Sequence, residues 1–197
     1  MRQIIATIGA TLFMAGTCLA DIHPDAVQWK LEDGGNGHWY ATIYGGPSCW
    51  NDAQTEAEAS GGYLATITSP EEQSFIAATM DVSYWNWIGG YQDPKDPTYS
   101  EPYGGWKWVT SEPWNYENWA PGEPNGDASE NFLNLKYPPD EIAWNDNTEC
   151  GAGNYIIEWP CNDVYCLGLE PVQWSTSDGG NGHWYVVAPH GVADSWE

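Results

Sequence analysis

Basic residues are scarce in this sequence: 5 Lys and Arg residues stand against 28 Asp and Glu residues. Nucleic acids and anionic membrane surfaces are recognised by clustered Lys and Arg side chains. The composition therefore argues against nucleic acid as a partner, and it suits either cation binding or a solvated acidic surface. The 14 Trp and 12 Tyr residues are, by contrast, unusually many. Large aromatic rings can fill a core or stack on the apolar faces of sugars.

Long hydrophobic runs are also lacking, apart from residues 4–16 near the start. This run follows Arg2 and precedes the small residues Cys18 and Ala20, a pattern typical of a secretory signal peptide. The run is short for a membrane span. We therefore predict that residues 1–20 are a signal peptide, that the product is secreted, extracellular or periplasmic, and that it does not insert into a membrane.

Four cysteines follow the predicted signal peptide, namely Cys49, Cys150, Cys161 and Cys166. Four cysteines allow three pairings, and an exported protein can keep disulfides. Cys161 and Cys166 enclose a short loop and can pair locally, which would leave Cys49 with Cys150. A zinc site is the alternative, but the sequence places no His at zinc-ligand spacing from these cysteines.

A duplicated motif marks both ends of the remaining chain. Residues 33–40 and 178–185 both read DGGNGHWY, and each copy follows a Val-Gln-Trp segment, at 27–29 and at 172–174. Self-similarity of this kind indicates a duplicated unit. We predict one domain over residues 21–165, and a linker with the truncated start of a second unit over residues 166–197. The truncated unit is a candidate surface for self-association.

The intervening sequence predicts an α+β fold with two helices. Apolar spacing indicates a first helix over residues 50–60 with Ser48 as its N-cap. Ser69-Pro70-Glu71-Glu72 is typical of a capped start for a second helix that reaches about residue 80. Strands are expected at residues 63–67, 85–88, 106–109, 132–135, 142–144 and 155–159. Residues 110–131 form a long irregular stretch, and loops of this length are often functional.

Oxygen-bearing side chains are concentrated between residues 114 and 146. The informative ones, in and after the Gly-Glu-Pro-Asn segment and in Trp-Asn-Asp, are Glu123, Asn125, Glu130, Asn145 and Asp146. Carboxylate and amide oxygens are the ligands that Ca²⁺ takes in proteins. A cis bond at Pro124 would turn the flanking Glu and Asn side chains to the same side. A polar loop without any ligand has the same composition and is the alternative.

The order of these segments resembles that of a C-type lectin-like domain, of the secreted bacterial type, over roughly residues 39–159. The matching segments are residues 50–65, 87–90, 106–108, 118–125, 144–146 and 155–159. The resemblance implies two helices, small antiparallel sheets and a long calcium-binding loop. It also implies calcium ligation by Glu123, Asn125, Glu130, Asn145 and Asp146, with Pro124 as a cis-proline.

The resemblance further implies carbohydrate binding through Glu123, Asn125, Glu130 and Asn145. The Glu-Pro-Asn form of the loop is the one that, in the family, prefers mannose, glucose or fucose. Trp114, Tyr116 and Trp119 lie close by in the sequence and are candidates for stacking on the sugar ring, although core packing is an alternative for Trp119. The expected function is calcium-dependent carbohydrate binding. The alternative is a calcium-stabilised adhesion or protein-interaction domain, and no enzymatic activity is expected.

The sequence departs from the family pattern in its disulfides. The usual bridge between a helix and the last strand would fall on Ala57 and Ile157, so both of its cysteines are absent together. A second common bridge would join position 132 to the loop near Cys150, but Phe132 occupies that position. The insertion at residues 136–141 lengthens the chain before Trp144, within the predicted site.

Overall fold

The computed structural model describes residues 22–136 and 142–161, together with two short strands nearer the C-terminus. The helices are α1 (Trp50–Ala59) and α2 (Pro70–Thr79). The strands are β1 (Val27–Gln28), β2 (Trp39–Ile43), β3 (Tyr63–Leu64), β4 (Asn86–Gln92), β5 (Trp106–Trp108), β6 (Phe132–Lys136), β7 (Ala143–Asn147), β8 (Asn154–Trp159), β9 (Val172–Gln173) and β10 (Trp184–Tyr185). The predicted signal peptide lies outside the described residues, and so does the insertion at 136–141 except for its first residue, which belongs to β6.

The two helices begin in different ways. Ser69 is the N-cap of α2, and its hydroxyl accepts a hydrogen bond from the Glu72 backbone N–H at 3.1 Å, as predicted. The expected cap of α1 is wrong, because its N-cap is Cys49, without a side-chain cap bond. The backbone carbonyl of Ser48 instead accepts from the Trp87 indole and from Gly151. Cys49 itself is fixed by its disulfide to Cys150, which confirms that pairing.

Most strands join one eight-stranded mixed sheet in the order β1-β2-β8-β4-β6-β7, with β3 paired to β8 and β5 to β4. β4 and β8 run parallel, and the other pairs are antiparallel. The α+β fold class is therefore confirmed, although the small antiparallel sheets we expected are joined through this parallel pair. The parallel pairing places β8 next to β4, which carries β6 and β7 on its other side.

Strand β4 continues beyond Gly89 and Gly90, where the sequence predicted its end. A Cβ at position 90 would lie 2.5 Å from Leu133 Cδ2, and one at position 89 would clash with the Leu64 carbonyl. These glycines therefore allow neighbouring chain segments to pack closely against the strand. The expected strand over 63–67 is shorter than predicted, because the Thr66 N–H donates to the Glu158 carboxylate at 2.9 Å and not to a strand.

Two buried clusters of apolar side chains hold the helices and the sheet together. One contains Trp108, Trp144 and Ile76. The other contains Ala57 and Ile157, which are 0% and 3% exposed. The positions of the missing family disulfide are therefore occupied by buried apolar side chains. Cys161 is also disulfide-bonded, but the predicted partner Cys166 lies outside the described residues.

Each copy of the duplicated sequence contains a pair of antiparallel strands, and the two pairs have the same register. In the first, Val27 pairs with Tyr40 and Gln28 with Trp39. In the second, β9 pairs with β10 so that Val172 faces Tyr185 and Gln173 faces Trp184. The equal register supports the sequence-based view that residues 172–185 repeat the start of the domain. The boundary near residue 165 stays a prediction.

Candidate functional site

The long loop over residues 110–131 is attached at its middle to strand β7. The Ala120 N–H donates to the Trp144 carbonyl at 2.9 Å, and the Trp144 N–H donates to the Asn118 carbonyl at 2.7 Å. Trp119 and Trp144 form an isolated parallel bridge. This attachment places the Glu-Pro-Asn segment beside the strand that carries Asn145 and Asp146.

Aromatic packing stabilises the base of the loop. The rings of Trp114, Tyr116 and Trp119 lie 5.5, 5.6 and 5.8 Å from the ring of Trp144. Trp144 is fully buried, and the other three pack against the same core cluster. All three rings meet Trp144 edge to face, and pairs of this kind add to the stabilisation that burial gives. These rings therefore support the loop, and core packing accounts for the residues that we considered for sugar stacking.

The Glu-Pro-Asn segment closes onto β7 through Asp146. Its carboxylate accepts from the Asn125 backbone N–H at 3.1 Å and from the Gly126 backbone N–H at 2.8 Å. Asp146 is 3% exposed. The peptide bond between Glu123 and Pro124 is cis, as predicted. The buried Asp146 carboxylate thus fixes the backbone of the Glu-Pro-Asn segment.

Gly126 lies against two of the predicted ligands. A Cβ at this position would lie 2.5 Å from Glu130 Oε2 and 2.8 Å from Asp146 Oδ2. The Glu130 and Asp146 side chains therefore both approach the backbone at residue 126. A side chain there would push at least one of them away.

The carboxylates of the site act on one another electrostatically. Burial raises the pKa of Glu130 above its usual value, and the negative charges of Asp146 and Glu123 raise it further. Two lysines in the described part of the chain form ion pairs with other acids, Lys30 with Glu32 and Lys107 with Asp96. Like charges held this close favour a bound cation, since a cation offsets their repulsion.

The structure does not place all five predicted ligands in the same way. Glu123 and Asn145 are buried, at 9% and 8% exposure, whereas Asn125 is exposed. The Asn145 amide donates to the backbone carbonyl of Asp146. Within residues 22–136 and 142–161, no group of three or more His, Cys, Asp or Glu side chains has the spacing of a metal site. The ligand set therefore stays a prediction.

The residues present nevertheless fit a calcium ion by their chemistry. They offer three carboxylates and two amide carbonyls, and Ca²⁺ takes about six to eight oxygen ligands. The backbone bonds to Asp146 leave lone pairs on both oxygens, because a carboxylate can accept about four hydrogen bonds or ligands. Glu123, Asn125, Glu130, Asn145 and Asp146 are the residues that would hold the ion.

Sequence reasoning missed a second pair of acids, Glu72 and Glu158. They are 2% and 1% exposed, and the hydroxyl of Tyr40 lies 2.6 Å from one and 3.1 Å from the other. Glu72 belongs to α2 and Glu158 to β8, so only the tertiary structure brings them together. The available signal was the duplicated motif, which contains Tyr40.

Comparison with known proteins gives a family for this arrangement. The sequence model of the lectin C-type domain matches residues 47–158. Human C-type mannose receptor 2 is 41% identical over 78 residues, which are 39% of this chain and 5% of that receptor. The chain thus spans a small part of the receptor's length.

Solved structures show the same fold. The C-type lectin domain of murine dendritic cell inhibitory receptor 2, in complex with N-glycan, superposes with a TM-score of 0.59 at 22% identity, covering 71% of this chain and 99% of that one. A calcium-independent type II antifreeze protein superposes with a TM-score of 0.56 at 22% identity, covering 71% and 94%.

Proposed function

Because the chain belongs to the C-type lectin domain family, we propose that it binds carbohydrate through a calcium ion held by the long loop and strand β7. The observation that carries the proposal is the closure of the Glu-Pro-Asn segment onto Asp146, at 3.1 and 2.8 Å. In addition, Glu130 lies within electrostatic reach of both Asp146 and Glu123. The family is generally non-enzymatic, and we propose no catalytic role for these acids.

The chemistry of the five side chains suits both a cation and a sugar. A bound calcium ion supplies coordination sites for two vicinal hydroxyl oxygens. Glu123 and Glu130 can each accept a hydrogen bond from a hydroxyl, and the amides of Asn125 and Asn145 can each donate one. Asp146 holds the ion and the loop backbone but is not assigned to the sugar. The Glu-Pro-Asn sequence favours sugars of the mannose, glucose or fucose type.

The comparisons bear on this function in two ways. One relative is named a mannose receptor, and one structural neighbour was solved with an N-glycan, which supports sugar binding. Another neighbour is described as a calcium-independent antifreeze protein, so the fold by itself does not imply sugar binding. The second candidate is a calcium-stabilised adhesion or protein-interaction domain without sugar binding.

We also propose that the protein is secreted, on the basis of the sequence of residues 1–20. Within the described part of the chain, neither helix has the length and apolar character needed to cross a bilayer.

Glycan-array binding in calcium and in EDTA tests the main proposal. We expect binding to mannose-type glycans in calcium and its loss in EDTA. A rise in melting temperature with calcium is expected too, since an ion bound only by the folded state stabilises it by mass action. Calcium stabilisation without glycan binding would select the second candidate. Equal melting in calcium and EDTA would contradict the calcium site itself.

The variant Asn145→Asp separates sugar binding from calcium binding. It replaces an N–H donor with a second acceptor while keeping an oxygen for the ion. We expect sugar affinity to fall by about tenfold or more, as for one lost hydrogen bond to a partner, and calcium affinity to change less. Asn115→Asp adds the same charge at an exposed position of the same loop and serves as the control. Unchanged sugar affinity in Asn145→Asp would contradict the shared-ligand arrangement.

A further inference from the structure

The duplicated DGGNGHWY motif contacts two buried acids in its first copy. Asn36 Nδ2 donates to Glu72 Oε1 at 3.2 Å, and the Tyr40 hydroxyl lies 2.6 Å from the same oxygen. His38 Nδ1 lies 2.6 Å from Glu158 Oε1. Three side chains of the motif therefore reach the pair of carboxylates, and we call Glu72 and Glu158 the acid pair.

Each acid of the acid pair uses one carboxylate oxygen to bind a threonine after β3 and the other to bind the motif. Glu72 Oε2 accepts from the Thr68 N–H at 2.7 Å and from its hydroxyl at 3.0 Å. Glu158 Oε2 accepts from the Thr66 N–H at 2.9 Å and from its hydroxyl at 3.0 Å. The Oε1 atoms are the ones that face the motif, with one more contact from the Tyr63 hydroxyl. The domain thus presents two buried acceptors that the motif satisfies.

Leaving these acceptors unsatisfied would be costly. Both acids are at most 2% exposed, and a buried carboxylate without its hydrogen-bond partners is strongly unfavourable. Burial and the nearby charge of Glu158 also raise the pKa of Glu72 to about 7. The acid pair therefore favours binding of a segment that carries Asn, His and Tyr at the spacing of the motif.

The second copy of the motif keeps every residue type that makes these contacts. Asn181, His183 and Tyr185 correspond to Asn36, His38 and Tyr40. The register of the paired strands is the same in both copies. The two copies differ between the Val-Gln-Trp segment and the motif, where residues 30–32 read KLE and residues 175–177 read STS. In the first copy, Lys30 and Glu32 form an ion pair with each other at the surface. This difference therefore does not affect the contacts to the acid pair.

The residues of β2 that follow the motif also have counterparts after the second copy. In β2, Ala41 and Thr42 are buried and pair with β8. The corresponding residues are Val186 and Val187. Both favour a strand, although Val187 lacks the hydroxyl with which Thr42 donates to the Asp81 carbonyl. The second copy can therefore supply both the contacts to the acid pair and the strand that follows them.

We propose that DGGNGHWY is a docking motif for the acid pair, and that residues 178–185 of one chain dock onto Glu72 and Glu158 of a second copy, in place of its residues 33–40. The partner is thus another molecule of this chain, and reciprocal exchange closes a two-fold dimer. The first copy has the advantage of being in the same domain, at a high effective concentration. Association is therefore expected to increase with protein concentration. This inference does not depend on calcium or on sugar binding.

Light scattering coupled to size exclusion, run on the full chain over a range of concentrations, tests the proposal. We expect the double variant Asn181→Ala/His183→Ala to weaken dimerisation by roughly tenfold or more, since it removes hydrogen bonds to charged groups. The matched control is Ser175→Ala/Thr176→Ala, which changes the part of the repeat that differs between copies, and it should dimerise like the unmodified chain. A chain that stays monomeric throughout, or equal dimerisation of both variants, would overturn the proposal.

A third variant weakens the first copy of the motif instead of the second. Asn36→Ala/His38→Ala weakens the first copy of the motif, so exchange predicts stronger dimerisation. Dimerisation through another surface predicts no change, and that result would overturn the exchange. Circular dichroism shows whether this variant is folded. If it is not, the two C-terminal variants decide the question without it, because they leave residues 22–161 unaltered.

Discussion

Gly126 has no space for a side chain at the candidate site. The Gly126→Ala variant would place a methyl group 2.5 Å from Glu130 Oε2 and 2.8 Å from Asp146 Oδ2. We expect it to lower the free energy of unfolding by about 1–3 kcal/mol, as overpacking does, and to reduce the rise in melting temperature with calcium. Urea unfolding and melting in calcium and EDTA measure both effects.

The matched control for that substitution is Gly153→Ala. A Cβ at position 153 would meet no atom within 4 Å. A Gly126 variant that behaves like the Gly153 variant would show that the acids do not need this close approach.

Glu72 gives the folded state a pH-dependent contribution to stability. Its pKa of about 7 is raised above the usual 4.5, by burial first and by Glu158 second. Between these two values the folded state keeps a proton that the unfolded state releases, so the free energy of unfolding falls as pH rises through this window. Glu72→Gln cannot ionise. We therefore expect its stability, relative to the unmodified chain, to increase from about pH 5 to about pH 8.

Urea unfolding at both pH values checks this expectation. The neighbouring titratable groups, His38, Tyr40 and Glu158, are present in both proteins, so their contributions largely cancel in the comparison. Glu71→Gln is the control, because Glu71 is exposed on the same turn of α2. A pH dependence shared by both variants would show that Glu72 is ionised throughout the window.

At the scale of an element, α2 depends on its cap. The Ser69 hydroxyl accepts from the Glu72 N–H at 3.1 Å, and Ser69→Ala should lower the free energy of unfolding by about 1 kcal/mol. The control Ser74→Ala removes an exposed hydroxyl that bonds only to the Pro70 carbonyl of the same helix. Its effect should stay within about 0.5 kcal/mol, and urea unfolding separates the two. Equal losses would show that the cap bond contributes nothing of its own.

The elements were predictable to the extent that their signals are local. The capping sequence and apolar spacing of α2 gave its bounds to within a residue, because a helix satisfies its own backbone. The end of β4 was wrong, since whether Gly89 and Gly90 end a strand depends on Leu64 and Leu133 from other strands. The shortened β3 has a similar reason, because the N–H of Thr66 is taken by Glu158.

The candidate site was predictable only through the family resemblance. Glu123, Asn125 and Asn145 are separated along the chain, and nothing local relates them. The resemblance predicted the cis bond before Pro124 correctly. It could not give the acid pair, because Glu72 and Glu158 meet only after α2 packs against the sheet.

At the scale of the whole molecule, we predict that the core does not need the second motif. In the part of the chain that the structure describes, both buried clusters are formed by residues between 22 and 159. We therefore expect the chain ending at Glu170 to keep its calcium-dependent melting and its sugar affinity, and to lose self-association. Melting curves, glycan binding and light scattering check the three parts. Loss of folding would show that the tail belongs to the domain, and the boundary near residue 165 would be wrong.

The Cys49–Cys150 disulfide has a consequence for proteolysis. Its two cysteines are 101 residues apart in the sequence, so the bridge closes a covalent ring that contains both helices and the long loop. A protease that cuts once in that loop opens the ring, and the disulfide keeps the two resulting pieces of the chain joined. The nicked protein therefore keeps its full mass until the disulfide is reduced, and two fragments appear only then.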